Sequence, residues 1–347
     1  MAIPSWLHFS QLSGGTGTTY ITVTADTNQT LFERLYQITI SGNTQSQDMW
    51  LSQSMGEGDV SEPLTLNITS GGYLNWLRSS ESEVGAKTLI VSKNQARAET
   101  YTSTTAGTHI NVSEGDMVIL YGNNVGYGTQ TGFNTFSGST AGFTIQGNLM
   151  SILDSANYQN MKQIPSPHEY TFNMLFAGCS GLTDATYMLL PATSVTGSYV
   201  YRGLFANDVN LESAPKILPA RTVGPYVYNN MFYGCANLRN QPKMDYTTQF
   251  STGSCEAMFY GCSSLAIGPI IAAETIPERC CYSMFENCTN LQSVGCLAYN
   301  ITANNAMTDW VKNVYSSGTL FVSDMAIWET GPSGKPANWE MQYLWIN

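Results

Sequence analysis

The sequence predicts a mainly β, multidomain chain: two β units, then a stack of repeated coils, then a closing segment. Three observations carry this. Apolar and polar residues alternate with period two in the first half, as in YITVTA (20–25) and LYQITIS (35–41). A Phe-centred motif recurs five times in the second half. Only 11% of the 347 residues are charged, against about 25% in an average soluble domain. The polar surface must therefore be built from Ser, Thr, Asn, Gly and Tyr, which suits hydrogen bonding and ring stacking.

Residues 1–55 read as the first β unit, bounded by Gly, Asn and Ser clusters and flanked by Trp6 and Trp50. GEGDVSE (56–62) is a polar, acidic linker into a second unit spanning 56–150. There LTLNITSGG (64–72) and TLIVSKN (89–95) read as strands, and HINVSEGDMVILYGNN (109–124) reads as two strands joined by an SEGD turn. Short strands at regular spacing predict a β-sandwich. Trp76, Tyr101, Tyr121 and Tyr127 fit its core better than a stacking platform.

From 151 to 300 the repeat dominates. LFAGCSGL, LFANDVNL, MFYGCANL, MFYGCSSL and MFENCTNL place Phe176, Phe205, Phe232, Phe259 and Phe285 in one column, 29, 27, 27 and 26 residues apart. Six positions later every copy has Leu: Leu182, Leu211, Leu238, Leu265 and Leu291. Three after Phe, four copies have Cys (Cys179, Cys235, Cys262, Cys288) and the second has Asp208. This period with Leu, Phe and Cys columns is a leucine-rich-repeat signature. One coil cannot bury its own apolar face, so coils stack and each column becomes a ladder. The run before Phe is predicted to be a short helix and the segment after Leu a short strand. Residues 301–347 are predicted to cap the open apolar end.

The eight cysteines lack CxxC spacing, which disfavours zinc. Buried free thiols acting as small hydrophobes are the favoured reading, with disulfides between coils as the alternative. Tyr233 and Tyr260 follow the column Phe where other copies have Ala or Glu, so they are predicted to be exposed. Tyr201 and Tyr228 alternate with Phe172, Cys255 and Cys281 and are weaker candidates for surface contact.

The net charge of −11 disfavours nucleic acid and anionic membranes. No apolar run approaches the ~18 residues of a membrane span. The N-terminus has neither a basic nor an apolar signal-peptide region. There is no G-x-S-x-G, H-E-x-x-H or P-loop, and His8, His109 and His168 are scattered. The expectation is a protein that is not an enzyme and needs no metal or cofactor.

Two resemblances extend this reading. The opening W-L-x-F-S at 6–10, SGGTGTT (13–19), ITVTAD (21–26), R-x-x-x-I-T-I (34–40) and LSQS (51–54) together resemble the BACON domain, an immunoglobulin-like sandwich. Residues 56–347 resemble BspA-type leucine-rich-repeat proteins of gut Bacteroidales and their phages. That likeness rests on MFYGC, on LPA at 190–192 and 218–220, on W-V-x-x-V, expected as a helix at 310–314, on SGTLFV (317–322) and on GPSGKPANW (331–339). The resemblances, the low charge and the absent signal imply a structural protein of the virion, a fibre or decoration protein of a crAss-like phage. Its expected partners are other virion proteins and a host-surface glycan or mucin, with Tyr233, Tyr260, Tyr201 and Tyr228 as glycan contacts. A homo-oligomer is expected, as phage fibres are commonly trimers. A bacterial cell-surface adhesin is the alternative, and a glycan-cleaving fibre a second one.

Overall fold

The computed structural model describes residues 7–9, 23–25, 34–41, 46–53, 59–80, 83–165, 169–323 and 327–344. The chain divides into two compact units, 1–59 and 60–347. In the first, β1 (Leu7–Phe9) pairs antiparallel with β2 (Val23–Ala25). The strands β3 (Arg34–Ser41) and β4 (Ser46–Gln53) form a second antiparallel pair, with Arg34 opposite Gln53.

The second unit opens with two sheets. Its strands are β5 (Thr65–Ser70), β6 (Gly72–Arg78), β7 (Thr88–Lys93), β8 (Glu99–Thr102), β9 (Thr108–Val112), β10 (Met117–Tyr121), β11 (Asn134–Thr135), β12 (Gly142–Asn148) and β13 (Leu182–Leu189). One sheet has the order β13-β12-β5-β10-β7-β8 and the other β11-β6-β9. The SEGD turn therefore does not close a pair between its own strands; it carries the chain from β9 in the small sheet to β10 in the large one. Asp116 fixes the turn, its Oδ2 accepting the Ser113 N–H at 2.8 Å. Alternate strand residues point inward, so Leu66, Leu74, Trp76, Leu89, Val118 and Leu120 are buried in one cluster, which Tyr127 joins from the connection between β10 and β11.

The repeats do not begin a separate body at 151. After a 3₁₀ turn at Leu149–Ile152, β12 pairs parallel with β13, which belongs to the first coil. Phe136 of the sheet region stacks on Phe176 at 5.4 Å. The expected boundary at 150 is thus crossed by both a sheet and the core, because the first coil needs a partner for its apolar face.

No α-helix occurs among the described residues. The segment before each Phe, predicted helical, is instead a ribbon of tight turns. Alternate N–H groups close i→i−3 bonds, as from Asn173 to Tyr170 and from Leu175 to Phe172. The N–H groups between them reach the next coil, as from Met174 to Arg202 and from Phe176 to Leu204. The backbone explains why. In all five copies the residues six before, two before and two after Phe lie in the left-handed region, with φ between +51° and +74°. That conformation every fourth residue breaks an α-helix, and it is where Gly and Asn are favoured. Gly178, Gly203, Gly234, Gly253, Gly261, Asn207, Asn230 and Asn287 hold eight of these fifteen positions.

The segment after Leu, predicted to be a strand in every copy, is one in the first, fourth and fifth, as β13, β16 (Ile267–Ile271) and β17 (Ser293–Cys296), reached after two short parallel strands, β14 (Ser194–Val195) and β15 (Thr222–Val223). In the second and third copies it makes only isolated bridges, as at Ser213 and Asn240. The pattern outlasts the five expected copies. Residues 301–323, expected to be part of a cap, continue the ribbon and add the parallel strand β18 (Gly318–Val322). The expected helix at 310–314 is part of that ribbon, with Asp309 and Asn313 left-handed. A further parallel strand, β19 (Trp339–Tyr343), follows. Trp328 lies against Trp310 at 5.5 Å, and Trp310 Nε1 donates to the Gly334 carbonyl at 2.8 Å, covering the last interior.

Candidate functional site

Stacked coils turn a sequence column into a row of like side chains spaced at the ~4.7–4.9 Å of hydrogen-bonded neighbours. The inward rows are buried. Phe176, Phe205, Phe232, Phe259 and Phe285 stack with centroids 5.4–6.0 Å apart and ring planes within 12°. All five, and the Leu column from Leu182 to Leu291, are buried.

All eight cysteines are free and buried. Cys235, Cys262 and Cys288 each donate Sγ–H to the column Phe carbonyl one coil back, at 3.0, 3.1 and 2.9 Å. Burial raises the Cys179, Cys235 and Cys262 thiols well above their usual value and pushes Cys288 up to about 12. Neutral buried thiols are poor nucleophiles and poor metal ligands. Among the described residues no group of three His, Cys, Asp or Glu side chains converges as a metal site.

Asp208 takes the same column position and is wholly buried. Its Oδ1 accepts the Cys179 N–H at 2.6 Å, and its Oδ2 has no partner. Burial raises its pKa well above the carboxylate range, against the smaller opposing effect of backbone N–H groups from Cys179 and Gly178.

The four tyrosines singled out in the sequence part company. Tyr201 and Tyr228 are 1% exposed. They continue an internal row from Phe172, with centroids 5.6 and 6.1 Å apart. They are core, not surface contacts; their alternation with Phe and Cys reflects interior volume. Tyr233 and Tyr260 lie half-buried on the outer side, stacked at 4.8 Å and 7°.

A longer outer row was not anticipated. Tyr170, Tyr199 and Tyr226 stack at 4.7 and 4.9 Å with planes 3° apart, all half-buried. They sit six before the column Phe, and that shared offset in three successive copies was the available signal. Gly253 continues the column. A Cβ there would lie 2.2 Å from the Tyr226 ring, so the ring rests directly on the glycine backbone. Arg279 follows, holding Glu256 through two bonds of 3.0 and 2.8 Å, its guanidinium 4.5 Å from the Tyr282 ring centre. Partial burial raises the Tyr170 and Tyr199 hydroxyls above the ordinary phenol value, so at neutral pH they are uncharged donors and acceptors.

The outer side of the coil stack thus presents aromatic and amide groups, with Glu169, Arg202 and the Arg279–Glu256 pair beside the tyrosine row. Such a surface can pack rings against a ligand and exchange hydrogen bonds. No protein-family model, curated protein or solved structure matches the chain. No helix among the described residues is long and apolar enough to cross a membrane.

Proposed function

We propose that this chain is an adhesive structural protein: a fibre or decoration protein of a phage virion whose stacked coils, of leucine-rich-repeat type, present a binding face to host-surface glycan. The N-terminal unit, read as an immunoglobulin-like BACON-type domain, would attach the protein to the particle or space it from the surface. The observation that carries the reading is the half-open Tyr170–Tyr199–Tyr226 row on the outer side of a rigid stack. Aromatic side chains held by secondary structure bind with little ordering cost. Many copies on a particle would multiply weak contacts by avidity.

Two experiments test this. Purified protein should bind gut Bacteroidales cells, and Tyr199→Ala should weaken that binding. Gold-labelled antibody should decorate phage particles. Labelling confined to the bacterial envelope would replace the virion role with that of a cell-surface adhesin. Release of reducing ends from capsular polysaccharide would replace adhesion with cleavage.

A further inference from the structure

The outer tyrosine row opens at its N-terminal end into a cleft of ≈1280 Å³. The ~300–1,000 Å³ of ordinary small-molecule sites is smaller, so the cleft has room for a chain segment rather than a single small ligand. One wall is the loop at 128–130. It is held by Thr129, whose N–H donates to the Gly132 carbonyl at 2.7 Å and whose Oγ1 accepts the Gly132 N–H at 3.0 Å. Asn173 Nδ2 donates to the Thr129 carbonyl at 3.3 Å. This wall reaches the tyrosine row because residue 128 is glycine: a Cβ there would lie 2.8 Å from the Tyr170 carbonyl oxygen. The opposite wall joins residues 163–165 to 194–197 through a parallel bridge between Gln163 and Ser194. Gly224 N–H anchors it, donating to the Val195 carbonyl at 2.7 Å. Both walls are thus fixed by backbone bonds before any ligand arrives.

The chemistry of the lining is selective. Tyr170 and Tyr199 supply ring surface; Gln130 and Gln163 supply carboxamides; Ser194 and Thr196 supply hydroxyls. Carboxamides and hydroxyls both donate and accept, which matches a ligand whose polar groups are themselves hydroxyls. Phenol rings pack against the C–H face of a pyranose. Among the described residues, Glu169 is the one charged lining residue, and Arg202 lies beside the lining with its guanidinium 5.8 Å from the Tyr199 ring centre. The one charged group among the described lining residues is a carboxylate, which disfavours a phosphorylated, sulfated or uronic polymer there, and the neighbouring Arg202 stands against the Tyr199 ring.

We infer that this cleft binds a short internal segment of a neutral oligosaccharide chain, with Tyr170 as stacking residue and Gln163 as hydrogen-bonding residue. This rests on the glycan-adhesion reading and gives it a site. The Tyr233–Tyr260 pair lies elsewhere on the outer side and is not part of it.

Calorimetric titration of the full chain would use maltohexaose, cellohexaose and α-mannohexaose, with a galacturonic acid hexasaccharide as the anionic control. At least one neutral hexasaccharide should bind. Gln163→Ala and Tyr170→Ala should each weaken it by about tenfold or more, while substitution of the exposed Tyr315, Tyr315→Ala, leaves it unchanged. Gln163 is exposed, so its variant keeps the fold, which circular dichroism would verify. Binding of none of the three at millimolar concentration, binding of the anionic control alone, or binding indifferent to both cleft variants would overturn the inference. Cell adhesion measured in parallel separates the two readings. Adhesion that survives both cleft variants sinks the cleft and spares the adhesive role. A wild-type protein that adheres to nothing sinks the adhesive role, while the titration still decides the cleft.

Discussion

The inner phenylalanine row and the outer tyrosine row are built by the same backbone and differ in what surrounds them. Both repeat at the coil spacing and both stack nearly parallel, at 5.4–6.0 Å inside and 4.7–4.9 Å outside. Inside, every copy must fill its place, because an empty one leaves a cavity that neighbours cannot close. Outside, the column accepts Gly253 and Arg279 after three tyrosines. Stacking geometry alone therefore says nothing about function; it follows from the coil pitch. What distinguishes the outer row is that the fold does not require its rings.

That contrast can be broken at its strongest point first. Phe232→Ala, in the middle of the inner row, should lower stability by ~3–5 kcal/mol, read as a fall in the urea midpoint. A smaller loss would mean that the row collapses around the gap and is less rigid than its packing indicates.

Gly253 lies where the outer row meets the backbone. Gly253→Ala puts a methyl into the Tyr226 ring at a left-handed position, φ +62°. The expected cost is ~1–3 kcal/mol. Combining it with Tyr226→Ala should recover the steric part and leave the backbone part, which a double-mutant cycle would read.

Asp208 tests the interior at the one polar exception in the cysteine column. Its folded pKa is raised by burial, so the native state holds its proton more tightly than the unfolded chain. The favourable contribution is complete below the unfolded value of ~3.9 and is lost as pH rises through the folded pKa. Asp208→Asn should remove this dependence and stabilise the protein by ~1–3 kcal/mol at neutral pH, the order of cost of an unsatisfied buried polar group. Urea melts of both proteins from pH 4 to 8 (conditions spanning the ~3.9 reference upward) should converge at the acid end and separate toward neutrality. Parallel curves would show that Asp208 does not titrate with folding.

Tyr199→Ala should have the smallest effect on stability, no more than about 1 kcal/mol, since the ring is half-exposed. Its effect on cell binding should be the larger one. A stability loss matching that of Phe232→Ala would make the outer row a structural element and remove the ground for a binding face.

Much of the coil stack was legible in the residues. The Phe, Leu and Cys columns marked the interior correctly, because burial in a periodic array constrains every copy alike. The ribbon was not. A run such as YVYNNMF has helical spacing of apolar residues, yet its left-handed positions, visible only as scattered Gly and Asn, override that spacing. The division between inner and outer tyrosines was legible in part. Tyr233 and Tyr260 were placed outside by their exchange with Ala and Glu. The inward place of Tyr201 and Tyr228 is legible in their exchange with Phe and Cys, which fill interior volume.

The sequence by itself determined the period, the identity of the inner rows and the low-charge surface, because these follow from side-chain chemistry repeated at fixed spacing. Tertiary structure alone decided that β12 extends the first coil, that the pattern continues past residue 300, and that loops at 128–130 and 194–197 face each other across the tyrosine row. Those outcomes depend on backbone hydrogen bonds between residues far apart in the chain, which no local pattern encodes.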